Sequence, residues 1–478
     1  MSSSTASAYQ FSSPYFRWLG YAIWLVMAVM SVAFYKERAT FMDGGFQLTE
    51  LINSGELGIY HHRLTNPLTQ IMALIAIKMN LSLKVVMIAY SLNFIFFFAL
   101  IYHFITTWCK NDFLAWTQIS FFTLLTTDSF YFLTPEFYQG MSLLLLWFAM
   151  ILRFDFWQKW LFPALLLLLI PIIFDHLLLS AFFAFLWCFF YLHEAKLRRL
   201  EYWLLAAGMI GIFVIHQEFF TSWYDAMKTK GFRENLEMYF PNFQNIPAHL
   251  IFLKKCVTTY YFFPVALLTL SIAYISSFFR NSKTKIERFY PLLKLALVLG
   301  FCFCYLLIIH IGDPNTPYIF YSEVNYIGLA IPITIALFFD FAPRDKKENM
   351  LLIAVVIIMF IRLSTITYTH KKFAGRHDWM RHELYMSKSN RLIINGKDAP
   401  QEIYIQDWSI PYESLLITAL KGPREAKSLL IATDKKQYEG FLEKENLLLE
   451  VMRQTNVEKL NKNYFDMTNG KYLVKDGQ

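Results

Sequence analysis

Apolar residues in this chain gather in blocks, most of them about 18–25 positions long, which is the helix length needed to cross roughly 30 Å of hydrocarbon. The blocks fall at 16–34, 84–108, 114–133, 139–152, 160–174, 177–192, 201–219, 259–279, 290–310, 317–342 and 350–368. They predict about eleven membrane-crossing helices. Pro67–Met79 is apolar but too short to span, which predicts a helix that lies flat or re-enters. Three polar stretches interrupt the pattern. The first, 35–83, opens with a predicted turn at Asp43-Gly44-Gly45. An amphipathic run follows over Phe46–Asn53, with Leu48, Leu51 and Ile52 on one side, and Asn66-Pro67 then starts the flat helix. The second, 220–258, is polar and aromatic, with prolines at 241 and 247. The third begins near 370, where the composition turns polar. Strands are expected at Arg391–Ile394, Glu402–Gln406 and Ser428–Ala432, and helices at Tyr412–Leu420 and Glu439–Arg453. The expected fold class is therefore an α-helical polytopic membrane protein with a small C-terminal α/β domain. Its parts are a short N-terminal segment (1–15), a multi-span region (16–369) and the tail (370–478).

Composition supports the membrane reading. Of 478 residues, 56% are apolar and 17% charged, against about 25% charged in soluble domains. Phe alone accounts for 48 positions, which suits lipid contact, and Trp and Tyr suit its interfaces. Lys and Arg collect in the loops 109–113, 153–159, 193–200, 280–289 and 343–349. The turns 134–138, 175–176 and 311–316 carry none. By the positive-inside rule this places the N-terminus in the cytoplasm and, with an odd number of spans in a cytoplasmic (inner) membrane, the C-terminus outside. The net charge of +8 comes from these loops, and no zinc spacing, basic helix or RNA-binding signature accompanies it, so nucleic acid is excluded as a partner. The five cysteines read as small buried hydrophobes. A Walker loop, dinucleotide fingerprint, nucleophile elbow and His-Glu-x-x-His are all missing.

Ionisable groups are costly inside a membrane, so their placement is informative. On the expected topology they gather toward the outer face. Asp43 is either a turn aspartate or a general base or metal ligand. Glu136, in Thr134-Pro135-Glu136-Phe137-Tyr138, is either a helix-start acid or a second site carboxylate. Asp128, inside a predicted span, needs a partner or a cavity. Asp175-His176 marks a tight turn whose histidine can bind metal or phosphate or pass a proton. His61-His62-Arg63 is a solvated loop or a phosphate cradle. Arg362 either snorkels to the interface or pairs with a lipid phosphate or with Glu323. Tyr318, Tyr321 and Tyr326 beside Glu323 suit a headgroup pocket or an aromatic belt.

This layout resembles the GT-C superfamily of integral membrane glycosyltransferases, which includes the protein O-mannosyltransferases and the lipid A aminoarabinose transferases. The resemblance rests on one span, a long outer loop with an early acid and a flat helix, about ten further spans and an outer tail. It also rests on Asn66-Pro67-Leu68-Thr69 through Ser82-Leu83, and on Leu133-Thr134-Pro135-Glu136 leading into an aliphatic span. The resemblance implies sugar transfer from a polyprenyl-phosphate donor to a glycan, lipid or protein acceptor at the outer face. Asp43 would activate the acceptor, Glu136 would assist, and His61, Arg63 or Arg362 would hold the phosphate. It leaves open whether a divalent metal serves as cofactor, with Asp43, Glu136 and His176 as candidate ligands. His62, Asp175 and Glu323 complete the expected substrate-binding set. A glycan-lipid flippase and a non-catalytic component of an envelope assembly complex are the competing expectations.

Overall fold

The computed structural model describes residues 9–475 except 134, 157, 281–284, 316–318, 343–347, 388, 401–406, 433–437 and 451–453. The helices are α1 (Tyr15–Ala33), α2 (Tyr35–Thr40), α3 (Asp43–Ser54), α4 (Ile71–Lys78), α5 (Leu83–His103), α6 (Asp112–Thr123), α7 (Pro135–Arg153), α8 (Leu161–Asp175) and α9 (Leu179–His193). They continue with α10 (Leu200–Phe219), α11 (Trp223–Tyr239), α12 (Pro247–Thr258), α13 (Phe262–Arg280), α14 (Lys285–Gly312), α15 (Ile319–Tyr326), α16 (Ala330–Phe341), α17 (Glu348–Met386) and α18 (Ile410–Ala419). Among the described residues seven helices are long and apolar enough to cross a membrane: α1, Leu83–Trp108, α10, α13, Arg288–Gly312, Glu323–Phe341 and α17. The chain is thus, by helix length and composition, a multi-pass helical membrane protein. The apolar α8 and α9 are shorter.

Three elements before the tail depart from the sequence pattern. The expected span 114–133 stops at Thr123, and the chain turns through a 3-10 segment at Asp128–Phe130. Two charged side chains take over the backbone groups freed by that break. Arg362 donates from Nε to Thr123 O (3.0 Å) and from Nη2 to Thr126 O (2.7 Å). Glu323 accepts the amides of Thr127 and Ser129. The Asp43-Gly44-Gly45 turn is the first turn of α3 instead. A Cβ on Gly45 would stand 2.0 Å from Thr40 O, so glycine lets α3 fold back closely on α2. Finally, α17 does not end with its apolar stretch. Its 39 residues extend about 58 Å at 1.5 Å per residue, well past the hydrocarbon.

The projecting end of α17 carries the tail. Arg376 grips Glu413 of α18 with two parallel hydrogen bonds (Nε–Oε2 2.8 Å, Nη2–Oε1 2.9 Å), both side chains buried. His377 Nε2 meets Thr40 Oγ1 at 2.8 Å, tying α17 to α2. Strands β1 (Arg391–Asn395), β2 (Ser428–Ala432) and β5 (Leu473–Lys475) form a parallel sheet in the order β2-β1-β5. The two strands β1 and β2 read as nearly continuous apolar runs, as parallel strands buried on both faces do. The helix expected over Glu439–Arg453 is replaced by a 3-10 turn at Glu439–Phe441 and by β3 (Leu447–Leu449), which pairs antiparallel with β4 (Gln454–Asn456). Three successive leucines bury better on a strand: Leu448 and Leu449 are fully enclosed. The expected strand Glu402–Gln406 lies outside the described residues.

The tail sits against the first polar stretch. Asn461 N donates to Asn53 Oδ1 (2.9 Å) and its amide to Ile52 O (2.9 Å), Tyr464 OH reaches Leu81 O (2.9 Å), and Tyr412 packs on Phe46. Residues 35–83 and the tail therefore occupy the same end of the helical bundle.

Candidate functional site

At that end, backbone conformation is unusual where the charged residues cluster. Met42 has φ 51° and ψ −129°, and His61 and His62 have φ 50° and 63°. Non-glycine residues adopt such angles at a cost of about 1–3 kcal/mol each and do so mainly where surrounding structure fixes them. Buried Met42 is the residue that delivers Asp43 to the start of α3. The two histidines form the bend that presents Arg63, whose amide donates to Tyr60 O (2.9 Å).

Arg63 is nearly fully buried. Its Nη1 donates to Phe174 O at 3.1 Å, its Nη2 forms an ion pair with Asp225 of α11, and its Nε has no hydrogen-bond partner. Thr65 holds the loop to the end of α8: its amide donates to Asp175 Oδ1 (3.3 Å), and its hydroxyl lies 2.7 Å from Asp175 Oδ2 and 3.0 Å from Gln139 Oε1. Asn66 is wholly enclosed, yet neither its amide nitrogen nor its oxygen makes a well-formed hydrogen bond. Such groups are rare in native interiors and call for an explanation.

Asp43 and Glu136 face this loop. Both are half-buried and retain some access to solvent. Burial pushes the Asp43 carboxyl up to about 6, with the Lys228 ammonium pulling the other way. Burial also pushes Glu136 up to about 7, opposed by Arg63 and by the Asn66 amide and reinforced by the charges of Asp43 and Asp225. Glu136 therefore senses Asp43, and each acid has its own cation, Lys228 for Asp43 and Arg63 for Glu136. Carboxyls tuned toward neutrality are suited to taking up and releasing protons. His176 half-faces the same region, but burial and Arg63 hold it down to about 3, so it is neutral, and its Nδ1 accepts the Leu178 amide at 3.2 Å. His61 stacks on Tyr224 (ring centroids 4.6 Å), and His62 meets Phe220 edge to face.

The other two expected site residues lie elsewhere. Every hydrogen-bonding position of Glu323 is engaged by Thr127, Ser129 and Tyr260, the last at 2.6 Å. Arg362 spends its guanidinium on three carbonyls, the third being Thr259 O at 2.8 Å. These residues build the fold around the α6 break. Asp128 is answered by Lys372 at 2.8 Å. Tyr318 is outside the described residues, as is the side chain of Tyr321. Among the described residues no three His, Cys, Asp or Glu side chains converge as a metal set, so Asp43, Glu136 and His176 are not arranged to ligate one ion.

Three participants escaped the sequence reading: Asn66, Asp225 and Lys228. Asp225 had one local signal, the Ser222-x-x-Asp225 spacing of a capping box, in which Ser222 Oγ accepts the Asp225 amide (3.1 Å) and donates to its carboxylate (2.8 Å). Its partner Arg63 lies 162 positions away, beyond any local pattern. No family model, curated protein or solved structure matches the chain.

Proposed function

We propose that the protein is a membrane glycosyltransferase that moves a sugar from a polyprenyl-phosphate donor to an acceptor hydroxyl at the outer face of a cytoplasmic membrane. The observation that carries this reading is the pairing of two partly accessible carboxyls of raised pKa, Asp43 and Glu136, with the buried Arg63 guanidinium at one end of a helical bundle. Sugar transfer needs both parts. Asp43 takes the proton from the acceptor hydroxyl as its oxygen forms a bond to the anomeric carbon. The bond from that carbon to the phosphate oxygen breaks, and the phosphate leaves with the electron pair toward Arg63. Glu136, protonated near neutral pH, shares the proton load. A donor carried in lipid accounts for a site at a bundle end bordered by apolar helices.

In this reading about eleven spans put residues 35–83 and the tail outside. Their mutual hydrogen bonds require a common side, and the tail then limits the approach of acceptors. The test is turnover by the full chain in lipid nanodiscs with a panel of polyprenyl-phosphate sugars, read as release of polyprenyl phosphate. Wild type should release it, and Asp43→Asn should not. Turnover by Asp43→Asn at the wild-type rate would remove the reading.

A further inference from the structure

We propose that Asp225 is an internal stand-in for the phosphate that sugar transfer releases: it pairs with Arg63, and the departing phosphate monoester displaces it, releasing α11 as a lid. This rests on the proposed donor chemistry, in which the sugar-bearing donor is a phosphodiester and its leaving group the monoester, and adds the device that captures that leaving group.

The case begins with how α11 is attached. Of its seventeen residues only Asp225 and Tyr239 are buried, one near each end. Tyr239 is anchored with Ile246, Ala248 and Ile311. At the other end the buried side chain is the Asp225 carboxylate. One face of the helix meets the first polar stretch at three points: Tyr224 stacks on His61, Asp225 pairs with Arg63, and Lys228 lies within electrostatic reach of Asp43. Between the anchors Gly231 has open space around it and weakens the helix interior. A helix held this way has one strong latch at its N-terminal half, and the latch is an ion pair.

The second part is the unfilled bonding capacity behind the latch. Arg63 Nε is buried and without a hydrogen-bond partner, and one turn of chain on, the buried Asn66 amide reaches Glu136 but makes no well-formed hydrogen bond. A carboxylate offers two oxygens, and Asp225 already shares one of them with Ser222. A phosphate monoester offers three terminal oxygens and more negative charge. It can occupy Arg63 as a forked acceptor and reach the Asn66 amide as well. Displaced Asp225 keeps its place in the Ser222 cap, so α11 can swing without unravelling. Lipid-borne and free phosphate share this chemistry, so the experiment separates them.

The test uses the full chain in nanodiscs with three probes: a short-chain polyprenyl monophosphate, the matching alcohol, and inorganic phosphate. Wild type should prefer the monophosphate to the alcohol. Asp225→Asn, which removes the competing charge and keeps the cap, should bind the monophosphate about tenfold tighter and the alcohol unchanged. Asp225→Glu should bind as wild type. Hydrogen exchange in 223–230 should rise when wild type binds the monophosphate and should already be high in unliganded Asp225→Asn. Inorganic phosphate reproducing these effects would assign the subsite to the anion alone, with displacement upheld. A monophosphate preference that a wild-type-melting Asp225→Asn leaves unchanged, or exchange that does not respond, overturns the displacement alone. Equal affinity for alcohol and monophosphate in wild type overturns the donor reading and the displacement with it.

Discussion

Two charged clusters sit toward the same end of this bundle, and they differ in how completely they satisfy themselves. Glu323 and Arg362 themselves are fully paired: the carboxylate collects amides and hydroxyls, and the guanidinium collects carbonyls. Around Asp43 and Arg63 the sums do not close. Two carboxyls stay partly open, an arginine nitrogen lacks a partner, a side-chain amide makes no well-formed bond, and three residues hold positive backbone φ angles. Buried groups that are fully paired make structure, whereas unmet capacity marks a place prepared for something else. A third cluster, far from both in the bundle, follows the first pattern: Lys294, His193 and Tyr274 all converge on Asp340.

The largest effect that can break this contrast is on folding. Glu323→Ala strands the Tyr260 hydroxyl, two amides and the Arg362 charge in the interior, and should cost about 3–5 kcal/mol. A melting curve in detergent checks it, and a loss no larger than that of Asp43→Asn would erase the distinction. Asp43→Asn should do the reverse. It should lower turnover by about 10²–10⁴-fold while leaving the melting temperature equal or higher. The turnover of wild type should also climb as pH rises through about 6, the range in which Asp43 ionises.

A smaller effect is the pH dependence of stability. Asp43 and Glu136 titrate near 6 and 7 in the folded protein, against about 4 in an unfolded chain. Between those values the folded state holds more protons than the unfolded one, so this contribution is greatest at low pH and is lost as pH rises through 6 to 7. The loss should amount to about 1–3 kcal/mol, since both groups keep some solvent. Unfolding measured from pH 5 to 8 should show this slope in wild type and a flat line in Asp43→Asn/Glu136→Gln. A slope that survives in the double variant would mean that the two acids are not tuned by burial.

The sequence made much of the scaffold legible. Long apolar runs at Tyr15–Ala33, Leu200–Phe219 and Phe262–Arg280 became helices where the pattern placed them, because in lipid-like surroundings backbone pairing leaves a helix few alternatives. The site was legible only in part. Asp43 and Arg63 stood out as charges flanking apolar blocks, but the role of Gly44-Gly45 was hidden. Glycine reads as a breaker until the carbonyl of Thr40 is seen to need its space. The expected 114–133 span failed for a related reason: its break is stabilised by Glu323 and Arg362, some two hundred residues away. Asn66 was hidden most thoroughly. Beside a proline it reads as a turn former, and its significance lies in bonds it does not make.

That makes Asn66 the sharpest small test. Removing a buried polar group normally costs the bonds it made, but here neither amide atom makes a well-formed bond within the fold. Asn66→Ala should therefore change stability by no more than about 0.5 kcal/mol, since little desolvated bonding is lost. If the amide waits for a phosphate oxygen, the same variant should still weaken polyprenyl monophosphate binding several-fold, while binding of the alcohol stays as it was. Paired melting and binding titrations on wild type and Asn66→Ala separate the possibilities. A large stability loss would show that Asn66 is spoken for within the fold. Its loop would then belong with Glu323 and Arg362, among the groups whose whole task is to hold the chain in place.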